Sequence, residues 1–138
     1  MPNNADANRA AITHAFEGLR TGDPDRFIAL FHENMAWDVR GSSGWSRSAV
    51  GREAVMEQIA GPLFSRLDGP YLNIPEWIIA DGDKVVVTAR GDATTVEGRS
   101  YVNDYCFIFT MAEGKIVAVR EYMDGTIADD VLGRHPLG

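Results

Sequence analysis

The chain contains a single cysteine, Cys106, among its 138 residues. No disulfide can form within it, so nothing asks for an oxidising compartment, and a reducing cytoplasm is the expected location. No apolar run approaches the ~20 residues that a membrane helix needs. The start, MPNNADANR, lacks a basic stretch followed by an apolar one, so no signal peptide is expected. Positive charge is scarce as well: 13 Lys and Arg against 20 Asp and Glu give a formal net charge of −7. Phosphates are held by Lys/Arg patches, and the sequence has none, which excludes nucleic acid and anionic membrane surfaces as expected partners. The three histidines, His14, His32 and His135, and the lone cysteine show no metal-ligand spacing, so neither a metal site nor a cofactor is expected. His14 and His32 fit surface roles, and His135 lies in the tail. No repeat, linker or low-complexity segment interrupts the chain, and residues 1–138 read as one domain with one core.

Two kinds of pattern divide that domain. Helices occupy about 5–66. Ala11, Ile12, Ala15, Phe16 and Leu19 recur at helical spacing, and Gly22 ends the run. Asp23-Pro24 then caps a short second helix that presents Phe27, Leu30 and Phe31. MAWDV, Met35 to Val39, reads as a short strand, followed by a Gly/Ser-rich loop, RGSSGWSRSAVG, whose glycines do not form a phosphate loop. Trp45 in that loop either covers a pocket mouth or is exposed. A third helix starts near Gly51, presents Val55, Ile59 and Leu63, and bends at Gly61-Pro62. Strands follow in a meander over about 72–124: Leu72–Ala80, Lys84–Thr94, Ser100–Thr110 and Lys115–Asp124, joined by short turns. Residues 125–138 form a tail, with Thr126 capping a last helical turn. Helices first and a meander second predict an α+β domain, with a curved antiparallel sheet around helices on one face.

The turns set a register. A four-residue loop at Thr95–Gly98 puts Thr88 opposite Tyr105 and Arg90 opposite Asn103. A three-residue loop at Ala112–Gly114 puts Tyr105 opposite Glu121 and Phe107 opposite Val119. One face then carries Val86, Thr88, Arg90 and Asp92 beside Tyr101, Asn103, Tyr105, Phe107 and Phe109, with Val117, Val119, Glu121 and Met123 next. Its aromatics mark it as the inner face. Arg90 and Glu121 stand two strand spacings apart, ~10 Å, within reach of each other's side chains.

The phrases AEGKIVAVREYMD, GRSYVNDYCFIF, TGDPDRFIALFHENMAW and GREAVMEQI resemble the SnoaL-like family of the nuclear transport factor 2-like superfamily, over nearly the whole chain. Ketosteroid isomerase, limonene epoxide hydrolase and polyketide cyclases are relatives. The resemblance implies a cone-shaped α+β barrel, N-terminal helices in the concave face of a mostly antiparallel sheet, a deep apolar pocket for a small ligand, and a homodimer through the sheet. Carried over residue by residue, the isomerase's two oxyanion donors fall at Ala15 and Tyr105 and its base at Val39 or Asp38, so only one donor position is kept. The epoxide hydrolase's final carboxylate falls at Glu121, its other carboxylate at Arg90, its arginine at Thr88, and its tyrosine and asparagine at Trp37 and Val39. Polyketide cyclases use a pocket carboxyl as acid and base, a role that falls to Glu121.

The resulting expectation is an enzyme of isomerase, cyclase or hydrolase type that performs acid/base chemistry on a small, mostly apolar, oxygen-bearing molecule. Glu121 moves the proton, Tyr105 and Asn103 hold the substrate oxygen, and Arg90 tunes Glu121. Trp37, Phe16, Phe107 and Met123 form the apolar wall, and Thr88 and Tyr101 complete the substrate-binding set. Each residue has a plainer reading: an ion pair for Glu121 and Arg90, core packing for the aromatics, backbone pairing for Asn103. The alternative function is a non-catalytic ligand-binding or dimerisation module of the same fold.

Overall fold

The computed structural model describes residues 4–138. Its elements run α1 (Ala5–Leu19), α2 (Asp25–Ile28), β1 (Phe31–Val39), β2 (Ser48–Val50), α3 (Arg52–Val55), a π-helical turn (Met56–Ala60), α4 (Gly61–Ser65), β3 (Leu67–Asp81), β4 (Lys84–Thr95), β5 (Ser100–Ala112), β6 (Lys115–Met123) and α5 (Gly125–Leu132). The strands form one curved six-stranded sheet in the order β2-β1-β6-β5-β4-β3. Every pairing is antiparallel except β1 with β6. This is the expected α+β cone, with α1 packed on the sheet.

Asn4 starts α1 by accepting from the backbone N–H groups of Asp6 and Ala7. Ile12, Ala15 and Phe16 are its buried stripe, and the Phe16 ring meets Phe107 and Phe109 at 6.2 Å. The bend expected at Gly61-Pro62 takes the form of the π turn. Pro62 has no N–H to continue the ladder, and the preceding Gly61 N–H reaches back five residues to the Met56 carbonyl. The helical cap after β6 is Asp124, not Thr126: its carboxylate accepts from the Thr126 and Ile127 N–H groups. Phe31 opens β1 instead of ending α2, and the Gly/Ser-rich segment contributes the edge strand β2.

The two hairpins correct the expected register. Thr95 N–H donates to the Arg99 carbonyl, Gly98 N–H donates to the Thr95 carbonyl, and Gly98 has φ +83. The loop is therefore the three residues 96–98 with a left-handed glycine, one shorter than expected. One residue of slip turns a whole strand over: Thr88 pairs with Cys106 and Arg90 with Asp104. The inner face of β4 is Val85, Val87, Ala89 and Ala93, all buried, with Gly91 between the last two. In the next hairpin Glu113 and Gly114 both have positive φ, 50 and 78, a two-residue turn. The ladder then shifts between Thr110 and Met111, leaving Val117 as an extra, bulged residue. Those two departures together move the pairing by two positions, so the face survives while the partners change: Phe107 lies opposite Glu121, and Tyr105 opposite Met123.

Candidate active site

A cavity of about 120 Å³ opens between the inner face and the helices. For scale, an apolar cavity of ~150 Å³ accepts benzene. Its wall is apolar nearly throughout: Leu19, Phe27, Ile28, Phe31, Trp37, Val55, Met56, Ile59 and Phe107 all contribute. Among the described residues five side chains bring polar atoms to it: Trp37, Tyr71, Asn73, Tyr105 and Glu121.

Glu121 comes from β6 and is 9% exposed. Its Oε1 accepts one hydrogen bond, from Trp37 Nε1 at 3.0 Å, which β1 supplies from the neighbouring strand position; Trp37 pairs with Val119. Burial disfavours the charged carboxylate and raises its pKa to about 7, with the Trp37 bond pulling the other way. Among the described residues no Lys, Arg or His forms an ion pair with it.

Beside it, three tyrosines cluster. The Tyr105 and Tyr101 hydroxyls lie 2.7 Å apart, and Tyr71 of β3 lines the cavity with Tyr105. Burial keeps all three phenols protonated by raising their pKa values, and the negative charge of Glu121 adds to the effect. The crossing needs Gly91: a Cβ there would lie 2.7 Å from Tyr105 Cε2 and 2.8 Å from the Tyr71 hydroxyl. Asn73 stands opposite Gly91 on β3. Its Oδ1 is buried with no hydrogen-bond partner.

Tyr105 and Glu121 also border a second cavity of about 50 Å³, which Tyr101, Met123, Trp45 and His135 help to line. The chain's last residues are tied over it. Trp45 Nε1 donates to the Gly133 carbonyl at 2.8 Å, and the His135 ring packs on Trp45 with centroids 4.5 Å apart. Burial and the nearby Arg47 lower the His135 pKa, so the imidazole is neutral near pH 7.

The SnoaL-like domain family matches the sequence over residues 12–119. The chain belongs to that family. The match ends just before Glu121. Among solved structures, the SnoaL-like fold recurs in Bal32a from a soil-derived mobile gene cassette, 22% identical with TM-score 0.78 over 93% of this chain and 98% of that one. It recurs in a candidate SnoaL-like polyketide cyclase from Jannaschia Sp. CCS1, 17% identical, TM-score 0.75, 96% and 95% covered. A candidate isomerase from Rhodopseudomonas palustris is 18% identical, with TM-score 0.65 and 92% and 97% covered. At these identities the likeness is one of fold. A comparison with curated proteins returns no match.

Within this SnoaL-like domain, Glu121, Tyr105, Trp37 and Phe107 meet at the main cavity. Tyr101 and Met123 face the second one. Phe16 is buried in the aromatic core without lining either cavity. Two expected site residues are misplaced by the hairpin slip. Arg90 is exposed on the outer face, opposite Asp104, and neither pairs with Glu121 nor tunes it. Thr88 is on the same outer face beside Cys106. Asn103 is buried but fully engaged. Its Nδ2 donates to the Tyr101 hydroxyl and the Asp124 carbonyl, each at 3.0 Å. Its Oδ1 accepts from the Asp104 and Asp124 N–H groups at 2.8 and 3.2 Å. It holds Tyr101 and the end of β6 in place and has no free group for a substrate oxygen. Tyr71 lies outside the expected strand because β3 begins five residues before the expected start; Asn73 lies inside it but its pairing with Gly91 has no local signal, and Trp37 carries the indole donor beyond its expected place in the wall.

Proposed function

We propose that this SnoaL-like domain is an enzyme performing acid/base chemistry on a small, neutral, mostly apolar molecule that bears an oxygen: isomerisation, cyclisation, dehydration or addition of water. The observation that carries the proposal is the state of Glu121. A carboxyl enclosed by apolar walls, with one indole donor and, among the described residues, no cation paired with it, has its pKa raised to about 7, and a general acid or base is most effective near neutral pH when its pKa lies there. In this reading Glu121 takes a proton from carbon, or from an attacking hydroxyl or water, and returns it to the product. Tyr105 donates to the substrate oxygen as charge builds on it, with its phenol oriented by Tyr101. Trp37 holds the carboxyl in one orientation. The aromatic walls exclude water and align the substrate, and the chemistry itself needs only side chains.

Titration of Glu121 by carboxyl ¹³C NMR tests the first half, with a midpoint near 7 expected; a midpoint in the ordinary carboxylate range overturns it. The second half is tested by α-hydrogen exchange of a small cyclic ketone in D₂O. Glu121→Gln should slow catalysed exchange by about 10²–10⁴-fold while leaving the fold intact, and an unchanged rate removes Glu121 from the mechanism. We further propose that the chain acts as a homodimer. The outer face carries Trp77 and Ile79, 67% and 58% exposed, in the rows Trp77–Thr88–Cys106–Tyr122 and Ile79–Val86–Ile108–Arg120, and exposed apolar groups side by side suit an interface. Sedimentation of a monomer at micromolar concentration overturns that.

A further inference from the structure

Asn73 is the polar side chain of the cavity that neither the fold nor the proposed chemistry uses. It is 6% exposed, lines the cavity, and keeps a buried Oδ1 without a hydrogen-bond partner. Among the described residues the other buried side-chain atoms in that condition are the Nε atoms of Arg47 and Arg66, and both guanidinium groups are otherwise engaged, donating to the Gly138 and Arg134 carbonyls. A buried carbonyl oxygen without a donor costs free energy that an apolar residue of the same size would not. As the amide stands Oδ1 is closed off by protein and Nδ2 is the open end, so a ligand in the cavity meets Nδ2 directly and meets Oδ1 when the amide turns about its Cβ–Cγ bond.

We propose that Asn73 anchors a neutral hydroxyl or amide group of the ligand, at the end remote from the carbon on which Glu121 acts. The separation follows from the sheet order. β3 and β6 are three strand spacings apart, ~14 Å between backbones, and both side chains lean into the same cavity. A ligand touching both has two polar ends joined by an apolar middle that fits against Phe27, Val55 and Phe107. Neutrality follows from the walls. Among the described residues no Lys, Arg or His lines the cavity, so a carboxylate or phosphate would lose its hydration and gain no counter-charge. An ether or an isolated ketone can only accept from Nδ2, whereas a hydroxyl or amide pairs with whichever end of the Asn73 amide faces the cavity. Alcohols, phenols and amides are thus the class selected. The inference rests on the cavity being a ligand site and is independent of whether Glu121 moves a proton.

The probes are p-cresol and toluene, which differ by one hydroxyl, titrated calorimetrically into the wild-type protein, Asn73→Leu and Glu121→Gln. An apolar pocket with no polar partner favours toluene, because the phenol hydroxyl loses water on entry. Wild type should prefer p-cresol at least tenfold, Asn73→Leu should cut that preference at least fivefold while toluene binds as before, and Glu121→Gln should keep it. The Asn73 side-chain amide signals of the wild-type protein should shift with p-cresol and stay with toluene, a readout that needs no variant. An equal preference in Asn73→Leu, amide signals unmoved by p-cresol, or no binding of either probe overturns the proposal. An ordinary Glu121 midpoint with the Asn73 effects intact would instead sink only the acid/base reading.

Discussion

Two buried polar regions share the inner face of this sheet and are built on opposite terms. Around Asn103 every group is spoken for. Both ends of its amide are bonded, to the Tyr101 hydroxyl and to the backbone of Asp104 and Asp124, so the corner where β5, β6 and α5 meet is locked. In the main cavity the polar groups are short of partners. Glu121 has one donor, and Asn73 Oδ1 has none. Satisfied polar groups in a core fix one structure, while unsatisfied ones cost stability and are kept where a ligand or a proton is the missing partner. The contrast separates two asparagines on the same face into a structural one and a recognition one, a distinction that residue type cannot make.

Substitutions sharpen that contrast, beginning with the locked corner. Asn103→Leu strands two N–H groups and a carbonyl and should cost about 3–5 kcal/mol in denaturant unfolding; a loss below 1 kcal/mol would mean the network is not holding the corner. Next is a linkage at Glu121. Its folded pKa, about 7, lies above the ordinary 4.5, so the folded state binds the proton more tightly. That contribution is fully present below pH 4.5 and disappears as pH rises to about 7. Relative to Glu121→Gln, wild type should therefore lose about 3 kcal/mol of unfolding free energy across this window. A difference that stays flat with pH would show that the carboxyl is not buried. Asn73→Leu should go the other way from Asn103→Leu and raise stability by about 1 kcal/mol, seen as a few degrees in Tm; destabilisation would place Asn73 with the structural groups. Smallest of all, Arg90→Ala should change stability by less than about 0.5 kcal/mol and leave the Glu121 midpoint where it is, since its side chain is exposed on the far face.

Arg90 also shows where reading the chain alone breaks down. The alternation of apolar residues along β5 identifies the inner face, and every member of it from Tyr101 to Phe109 is buried. Whether a neighbouring strand is in phase depends on one residue of turn. Thr95–Gly98 reads equally well as a loop of four or as three plus a closing pair, and the wrong choice turned all of β4 over, carrying Arg90 and Thr88 inward. On β6 two misreadings cancelled. The turn is a residue shorter than expected, but the Val117 bulge restores the parity, so Glu121 faces Tyr105's side for reasons the pattern does not contain. β3 was the least legible. Pro75 and two register shifts break its alternation, as edge strands tolerate, and Tyr71 and Asn73 lay outside or at the margin of the expected strand. The helices, the meander and the fold class follow from periodicity and turn residues, which act locally. The Trp37–Glu121 bond joins residues 84 positions apart through a parallel pairing, and no local signal announces it.

Gly91 shows how little would be needed to empty such a domain of its purpose. Its missing side chain is the floor over which Tyr71 and Tyr105 lean together. One methyl group at that spot, a single alanine, would lever the two rings apart and into the hollow. Every acidic, amide and phenolic group would still be encoded, and the chamber they serve would be blocked from below. Descendants of one ancestor can in this way part into binders and bare scaffolds by adding three hydrogens and a carbon where there was only a hydrogen.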